Sequence, residues 1–266
     1  MGIEEWIAAK KRESRIKNMG FSYHGGSEAF VACVDAWPWD FCMIQYNYLD
    51  EYNQAGKKGL LYAASKGLPV IVMEPLRGGQ LVNGLPKEAL RRFETLPVKR
   101  GPAEWGLRWV WNHPEVTIAL SGVGNESIAM ENIRATDGAL PDTLSEEELA
   151  CIAEVKDLIL SKTVVPCTGC GYCLPCPMGV DIPTCFSCTN AVALDGWLRS
   201  AKNYLMQTGF RAQTGNASRC SQCGQCEAKC PQSVPIRQAL AQTVKKLEGF
   251  YYKPASFVIR KAYRIK

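Results

Sequence analysis

The sequence predicts an α/β fold for its first part and a mainly helical, loop-rich module for its last. Three observations lead there. Short apolar runs alternate with amphipathic segments four times before residue 144, the beat of strand–helix units. The third run, LPVIVME at residues 68–74, is almost continuously apolar, as strands of doubly covered parallel sheets are. Finally, eight of the 13 cysteines crowd into two runs after residue 163.

Taken in order, residues 4–14 read as a charged amphipathic helix, and RIKNMGFSY (15–23) as a strand ending at His24-Gly25-Gly26. Ser27 is expected to cap a helix through about Asp35, with Phe30, Val31 and Val34 apolar. DFCMIQYN (40–47) is the second strand, residues 54–66 a helix ended by Gly67, and residues 68–74 the third strand. After the turn PLRGG come a short helix from about Lys87 and a stronger one over 102–112. EVTIALS (115–121) is the fourth strand, with a helix from about Glu126. Right-handed crossovers are expected between the strands. Residues 145–160 form a helix whose opening, Ser145-Glu146-Glu147-Glu148, has the pattern of a capping box. Beyond it, helices are expected over 188–207 and 235–247, and a terminal helix that packs Phe257, Ile259 and Tyr263 inward. The division expected is 1–144, a connecting helix over 145–163, and a cysteine module over 164–266.

The first cysteine run, CTGCGYCLPCP, places Cys167, Cys170, Cys173 and Cys176 two residues apart, with Pro177 after. The second, CSQCGQCEAKCP, places Cys220, Cys223, Cys226 and Cys230 at gaps of two, two and three, with Pro231 after. A C-x2-C-x2-C loop wraps one corner of an iron–sulfur cube but does not easily reach its fourth iron, so the cysteine before proline tends to ligate the other cluster. The reading is two 4Fe–4S clusters: Cys167, Cys170, Cys173 and Cys230 for one; Cys220, Cys223, Cys226 and Cys176 for the other. Zinc sites usually pair two C-x2-C units in one tetrahedron, which this pattern fits poorly. The first run is one residue shorter than the usual bacterial spacing before its C-P, which bears on Cys176. Matched phrases, MGVDIP and QSVPI, follow the two runs, so each C-P is expected to turn into a helix, as in a two-cluster ferredoxin. Cys33, Cys42 and Cys151 read as small core residues, and Cys185 and Cys188 as packing residues, with ligand substitution the alternative.

With 47% hydrophobic and 21% charged residues, the chain has the composition of an ordinary globular protein. No apolar run is long enough to span a membrane. The start, MGIEEWIAAKKRESR, has no apolar signal core, and Trp6 sits where a myristoylation motif wants Ser or Thr; a cytoplasmic location and thiols free of disulfides are expected. The formal net charge of +5 is uneven: residues 163–266 carry 13 Lys and Arg against 4 Asp and Glu. That excess suits an anionic cluster and an acidic redox partner better than nucleic acid, which is not expected to bind.

Five phrases precede the cysteines: GFSYHG, FCMIQYNYLDE, VIVMEPLRGGQL, PAEWGLRWVWNHPEV and LSGVGNESIAMENI. In that order, and with the cysteine runs, they resemble the ferredoxin-domain branch of the aldo/keto reductases, over nearly the whole chain. The resemblance implies a partial TIM-type (β/α) barrel, its fifth to eighth strand–helix units over residues 1–144, followed by a two-cluster ferredoxin-like module. It also implies an NAD(P) edge at the C-terminal ends of the strands, where barrel active sites gather. Ser22 and Gln45 match positions that hydrogen-bond the nicotinamide carboxamide, and Glu131 and Asn132 the adenine-side pair; strand-end and helix-surface roles are the alternatives. Met73 stands where many relatives carry a stacking Tyr. No Lys or Arg stands near Gly122 and Ile128, where relatives clamp a 2′-phosphate, so nothing favours NADP.

The family's Asp, Tyr, Lys and His tetrad lies on the half barrel this sequence does not match, and no residue here takes those roles. His24 is the candidate proton donor, or else a loop cap; His113 reads as a helix-end residue. The expected function is an iron–sulfur oxidoreductase coupling NAD(P) chemistry to electron transfer through the two clusters. An electron-transfer module with a docking half barrel, or an inactive fragment, is the alternative. Partners expected are a redox protein, a chain supplying the other half barrel, or a second copy, because an open half barrel leaves strand edges unpaired.

Overall fold

The computed structural model describes residues 2–210 and 213–262. The chain divides into two compact units, Met1–Asp157 and Leu158–Lys266.

In the first unit the elements run α1 (Ile3–Arg12), β1 (Gly20–Tyr23), α2 (Ser27–Asp35), β2 (Phe41–Gln45), α3 (Gly56–Ser65) and β3 (Val70–Met73). A short α4 (Gln80–Asn83), α5 (Lys87–Glu94), α6 (Pro102–Trp111), β4 (Val116–Ala119) and α7 (Glu126–Thr136) follow, and then α8 (Glu146–Lys162). The four strands form one sheet in sequence order, every neighbouring pair parallel. This is the α/β alternation the pattern predicts, in the partial (β/α) barrel layout that the family resemblance implies.

Period-two alternation gives the sheet two unlike faces. On one, Cys42, Ile44, Val70 and Val72 are fully buried, in a core with Phe30 of α2, Leu60 and Ala63 of α3 and Val110 of α6. On the other lie Phe41, Met43, Ile71 and Ile118, linked by the register Met43↔Ile71 and Ile71↔Ile118, with Ile118 still 46% exposed. Gly67 (φ 69°) ends α3: its N–H donates to Ala64 O and Leu68 N–H to Ala63 O, which closes the helix as a Schellman motif. The Ser145 box forms as its sequence implies. Ser145 N–H donates to Glu148 Oε2 at 2.8 Å and Glu148 N–H to Ser145 Oγ at 3.2 Å.

Two local expectations change. The first strand occupies only Gly20–Tyr23, not 15–23, because Arg15 and Ile16 still donate their N–H groups to Lys10 O and Asp40 Oδ2 captures Met19 N at 2.6 Å. Ser27 is the first helical residue rather than the cap; Gly26 holds the cap position with no side-chain bond.

The second unit is helical: α9 (Ile182–Asp195), α10 (Trp197–Gly209), a short α11 (Gln225–Ala228), α12 (Ile236–Leu247) and α13 (Tyr252–Ala262). The single helix expected over 188–207 is two helices, broken at Gly196 (φ 80°, ψ 162°), a conformation only glycine adopts without strain. Pro183 in the first turn of α9 and Asp181, whose Oδ1 accepts from Thr184 N, start it earlier than the apolar pattern implies. Phe186, Tyr204, Leu240 and Leu247 centre the core. Thr189 Oγ1 meets Thr243 Oγ1 at 2.7 Å, joining α9 to α12. Cys185 and Cys188 are buried in this core, as the packing reading holds. Cys42 and Cys151 are fully buried in the first unit, whereas Cys33 is only half-buried.

The terminal helix turns differently from expectation. Tyr252 and Ser256, four apart, face inward, leaving Phe257 69% exposed and Ile259 half-buried; Tyr263 lies outside the described residues.

Candidate metal centres and a strand-end groove

The two cysteine runs fold as near-copies. In the first, Gly169 (φ 77°) and Gly171 (φ 80°) flank Cys170; in the second, Gln222 (φ 62°) and Gly224 (φ 78°) flank Cys223. These left-handed residues curl each loop so that an N–H reaches back to the first sulfur. Gly169 N donates to Cys167 Sγ and Gln222 N to Cys220 Sγ, both at 3.4 Å. The C-P turns match too. Gly179 (φ 72°) donates to Cys176 O and Ser233 (φ 51°) to Cys230 O; Val180 and Val234 then bury themselves before α9 and α12 begin.

This repetition gathers the sulfurs around two cavities. One is lined by Cys167, Cys170, Cys173 and Cys230, with Phe186, Val234 and Ile236 as apolar wall. The other is lined by Cys176, Cys220, Cys223 and Cys226, with Lys229 and Arg237 at its border. Cys173 lines both. Burial, with the neighbouring thiols Cys167 and Cys170, pushes the Cys173 thiol up to about 12. Among the described residues, no three His, Cys, Asp or Glu side chains converge as the ligands of a single ion would. The donor set suits a larger sulfur-bound group: four thiols around one space and five around the other, N–H groups turned toward sulfur and apolar walls.

In the first unit, a groove opens at the C-terminal ends of β3 and β4. Glu131 and Asn132 line it, with Glu74, Ser121, Gly122 and Ile128. Asn132 Nδ2 donates to Ser121 Oγ at 3.0 Å. Ser22 and Gln45 do not border this groove. They share one sheet face, since Ser22 pairs with Met43 and Gln45 stands two residues on. Ser22 is exposed and Gln45 buried.

Gln45 belongs to a polar cluster that the sequence did not reveal. Its Nε2 lies 3.3 Å from both Asp50 Oδ2 and Glu74 Oε2, and its Oε1 accepts from Gln54. Asp50 also accepts from Asn47 and Asn53 and pairs with buried Arg77 at 2.9 Å. With Asp50 so well compensated, Glu74 is the surplus acid: burial and the Asp50 charge raise its pKa, offset in part by Arg77. The one visible signal was the turn EPLRGG, where Glu74, Arg77, Gly78 and Gly79 all take positive φ.

Burial lowers the pKa of His24, with a hydrogen bond to Gln54 opposing it, so the neutral imidazole is favoured. His113 closes α6: its Nδ1 lies 2.9 Å from Trp109 O and its Nε2 3.3 Å from Tyr46 Oη, a helix-end role.

Comparison with known families meets this geometry at both units. The Aldo/keto reductase family model matches residues 5–157, more than half of the chain. The chain belongs to the aldo/keto reductase family. A second model, the 4Fe-4S dicluster domain, matches residues 166–235, which include all eight cysteines of the two runs. This aldo/keto reductase relative thus carries an iron–sulfur module after its strand–helix unit. Among solved structures, aldo-keto reductase AKR11C1 from Bacillus halodurans is similar in its holo and apo forms. Both align at 23% identity and a TM-score of 0.46 over 56% of this chain, and over 53% and 54% of theirs. The chain therefore spans about half the length of the solved structures it matches. No curated protein matches it. Among the described residues, no helix is long and apolar enough to cross a membrane.

Proposed function

We propose that this chain is part of an iron–sulfur oxidoreductase of the aldo/keto reductase type. In this reading its strand–helix unit contributes a dinucleotide edge and its cysteine module conducts single electrons. The observation that carries the reading is the crossing of the two cysteine runs: the first three sulfurs of each run line a cavity together with the pre-proline sulfur of the other, and Cys173 borders both. Cys167, Cys170, Cys173 and Cys230 would hold one 4Fe–4S cluster, and Cys220, Cys223, Cys226 and Cys176 the other. Bound clusters supply reversible one-electron transfer. The chain's own part is to fix eight thiolates, turn backbone N–H groups toward Cys167 and Cys220, and keep water from the apolar side of each cavity.

For NAD(P), Glu131 and Asn132 on the groove would take the adenine side, and Ser22 with Gln45 the carboxamide. Gln45 must first release part of its present bonding to Asp50, Glu74 and Gln54. That commitment favours a second reading, in which the strand–helix unit docks a partner and binds no dinucleotide. The half-exposed sheet face of Met43, Ile71 and Ile118 fits the packed interior of a closed barrel, so its proposed occupant is a further set of strand–helix units.

Anaerobic reconstitution tests the function directly. Material carrying about eight irons and eight sulfides per chain, bleached by dithionite, is expected; zinc in their place would defeat the proposal. Quenching of NADH fluorescence by the same sample supports the reductase reading, and its absence leaves the electron-transfer module.

A further inference from the structure

We infer that the two cluster sites are electrically unequal, and that the site of Cys176, Cys220, Cys223 and Cys226 is the one that holds an electron more tightly. This rests on the cluster reading above. Its cavity is bordered by two cations, Lys229 and Arg237. Among the described residues lining the other cavity there is no Lys, Arg, Asp or Glu.

The charges around the first of these do not cancel. Glu227 takes Arg237, accepting from its N–H and Nε and pairing with its Nη2 at 2.8 Å. Arg219, next to Cys220, donates from Nε to Met178 O at 2.9 Å, a neutral partner that leaves its charge in place. Lys229 stands exposed one residue before Cys230 and adds a further positive charge at the cavity border.

A thiolate-bound cluster becomes more negative when it gains an electron. Nearby cations and N–H donors stabilise that added charge, while an apolar wall opposes it. The cations at one cavity, with none among the described residues lining the other, therefore separate the two sites in one direction. An electron entering the module at either end comes to rest at the Cys220 end. Lys229 is a tuning residue in this scheme; it touches no substrate.

Potentiometric titration of the reconstituted full chain, followed by electron paramagnetic resonance, tests this. Two distinct midpoint potentials are expected. Lys229→Gln should lower the higher one more than the lower, Lys229→Arg should keep both, and Glu227→Gln should raise the higher one. A single shared potential, or a Lys229→Gln shift that falls on the lower potential, on both equally or on neither, overturns the inference. A preparation that takes up no iron and sulfide fails earlier, at the proposed function itself.

Discussion

Cys176 and Cys230 occupy equivalent places before proline in the two cysteine runs, yet each lines the cavity built by the first three sulfurs of the other run. The exchange follows from the near-identical turns: a left-handed residue three positions after each of them sends the chain into α9 or α12. Either pre-proline sulfur is therefore carried away from its own loop.

The core beneath the cavities depends on one hydroxyl. Tyr204 Oη donates to Glu248 Oε1 at 2.5 Å, accepts from Ala217 N at 2.8 Å and meets Cys185 Sγ at 3.8 Å, all around a fully buried ring. Tyr204→Phe leaves the Ala217 N–H without its acceptor and takes one donor from Glu248, which keeps those of Asn216 and Ser218. A loss of about 1–3 kcal/mol in chemical denaturation is expected, with no change in iron content.

In the first unit, the Ser145 box and Arg100 share Glu148, which is buried and bonded to Arg100 as well as to Ser145 N. Ser145→Ala should cost about 1 kcal/mol. Glu148→Ala should cost more, about 3 kcal/mol, because it also strips a partner from Arg100. Urea midpoints of the two variants, compared at equal m, check the order.

Glu74 makes stability depend on pH. Its folded pKa is raised by burial and by Asp50, so the folded state holds its proton to higher pH than the unfolded chain does. Its contribution is fully present below the ordinary glutamate value and is lost as pH rises through the raised one. Glu74→Gln should flatten the stability profile above about pH 4.5, as measured by denaturant titration across the acidic to neutral range. An unchanged slope would contradict the assignment.

The half-exposed sheet face gives an expectation for association. With Ile118 at 46% and Leu120 at 44% exposure, apolar strand surface stands open where a closed barrel would be packed. Sedimentation velocity at rising concentration should show self-association, and Ile118→Lys should reduce it. A monomer at all concentrations would show that face to be satisfied as it stands.

The cysteine turns were legible in the sequence because ligand spacing, glycine and proline are local signals. The strand–helix order was legible for a similar reason: LPVIVME and FCMIQ carry their burial in their own composition. What escaped was decided by distant partners or by a single backbone angle. Gly196 splits a pattern that looks continuous, and Phe257 faces outward because Tyr252 and Ser256 take the inner face. The buried set of Gln45, Asp50 and Arg77 joins a strand end to a loop that only the fold brings near. Polar residues in loops look alike in a sequence, whether solvated or buried.

The crossed ligation is tested most directly by iron analysis of two quadruple variants. Replacing Cys167, Cys170, Cys173 and Cys230 by Ser should remove one complete site and leave about four irons per chain. Replacing Cys167, Cys170, Cys173 and Cys176 by Ser should cripple both sites and leave fewer than that. The reverse result, with iron retained only in the second variant, would contradict the exchange of Cys176 and Cys230.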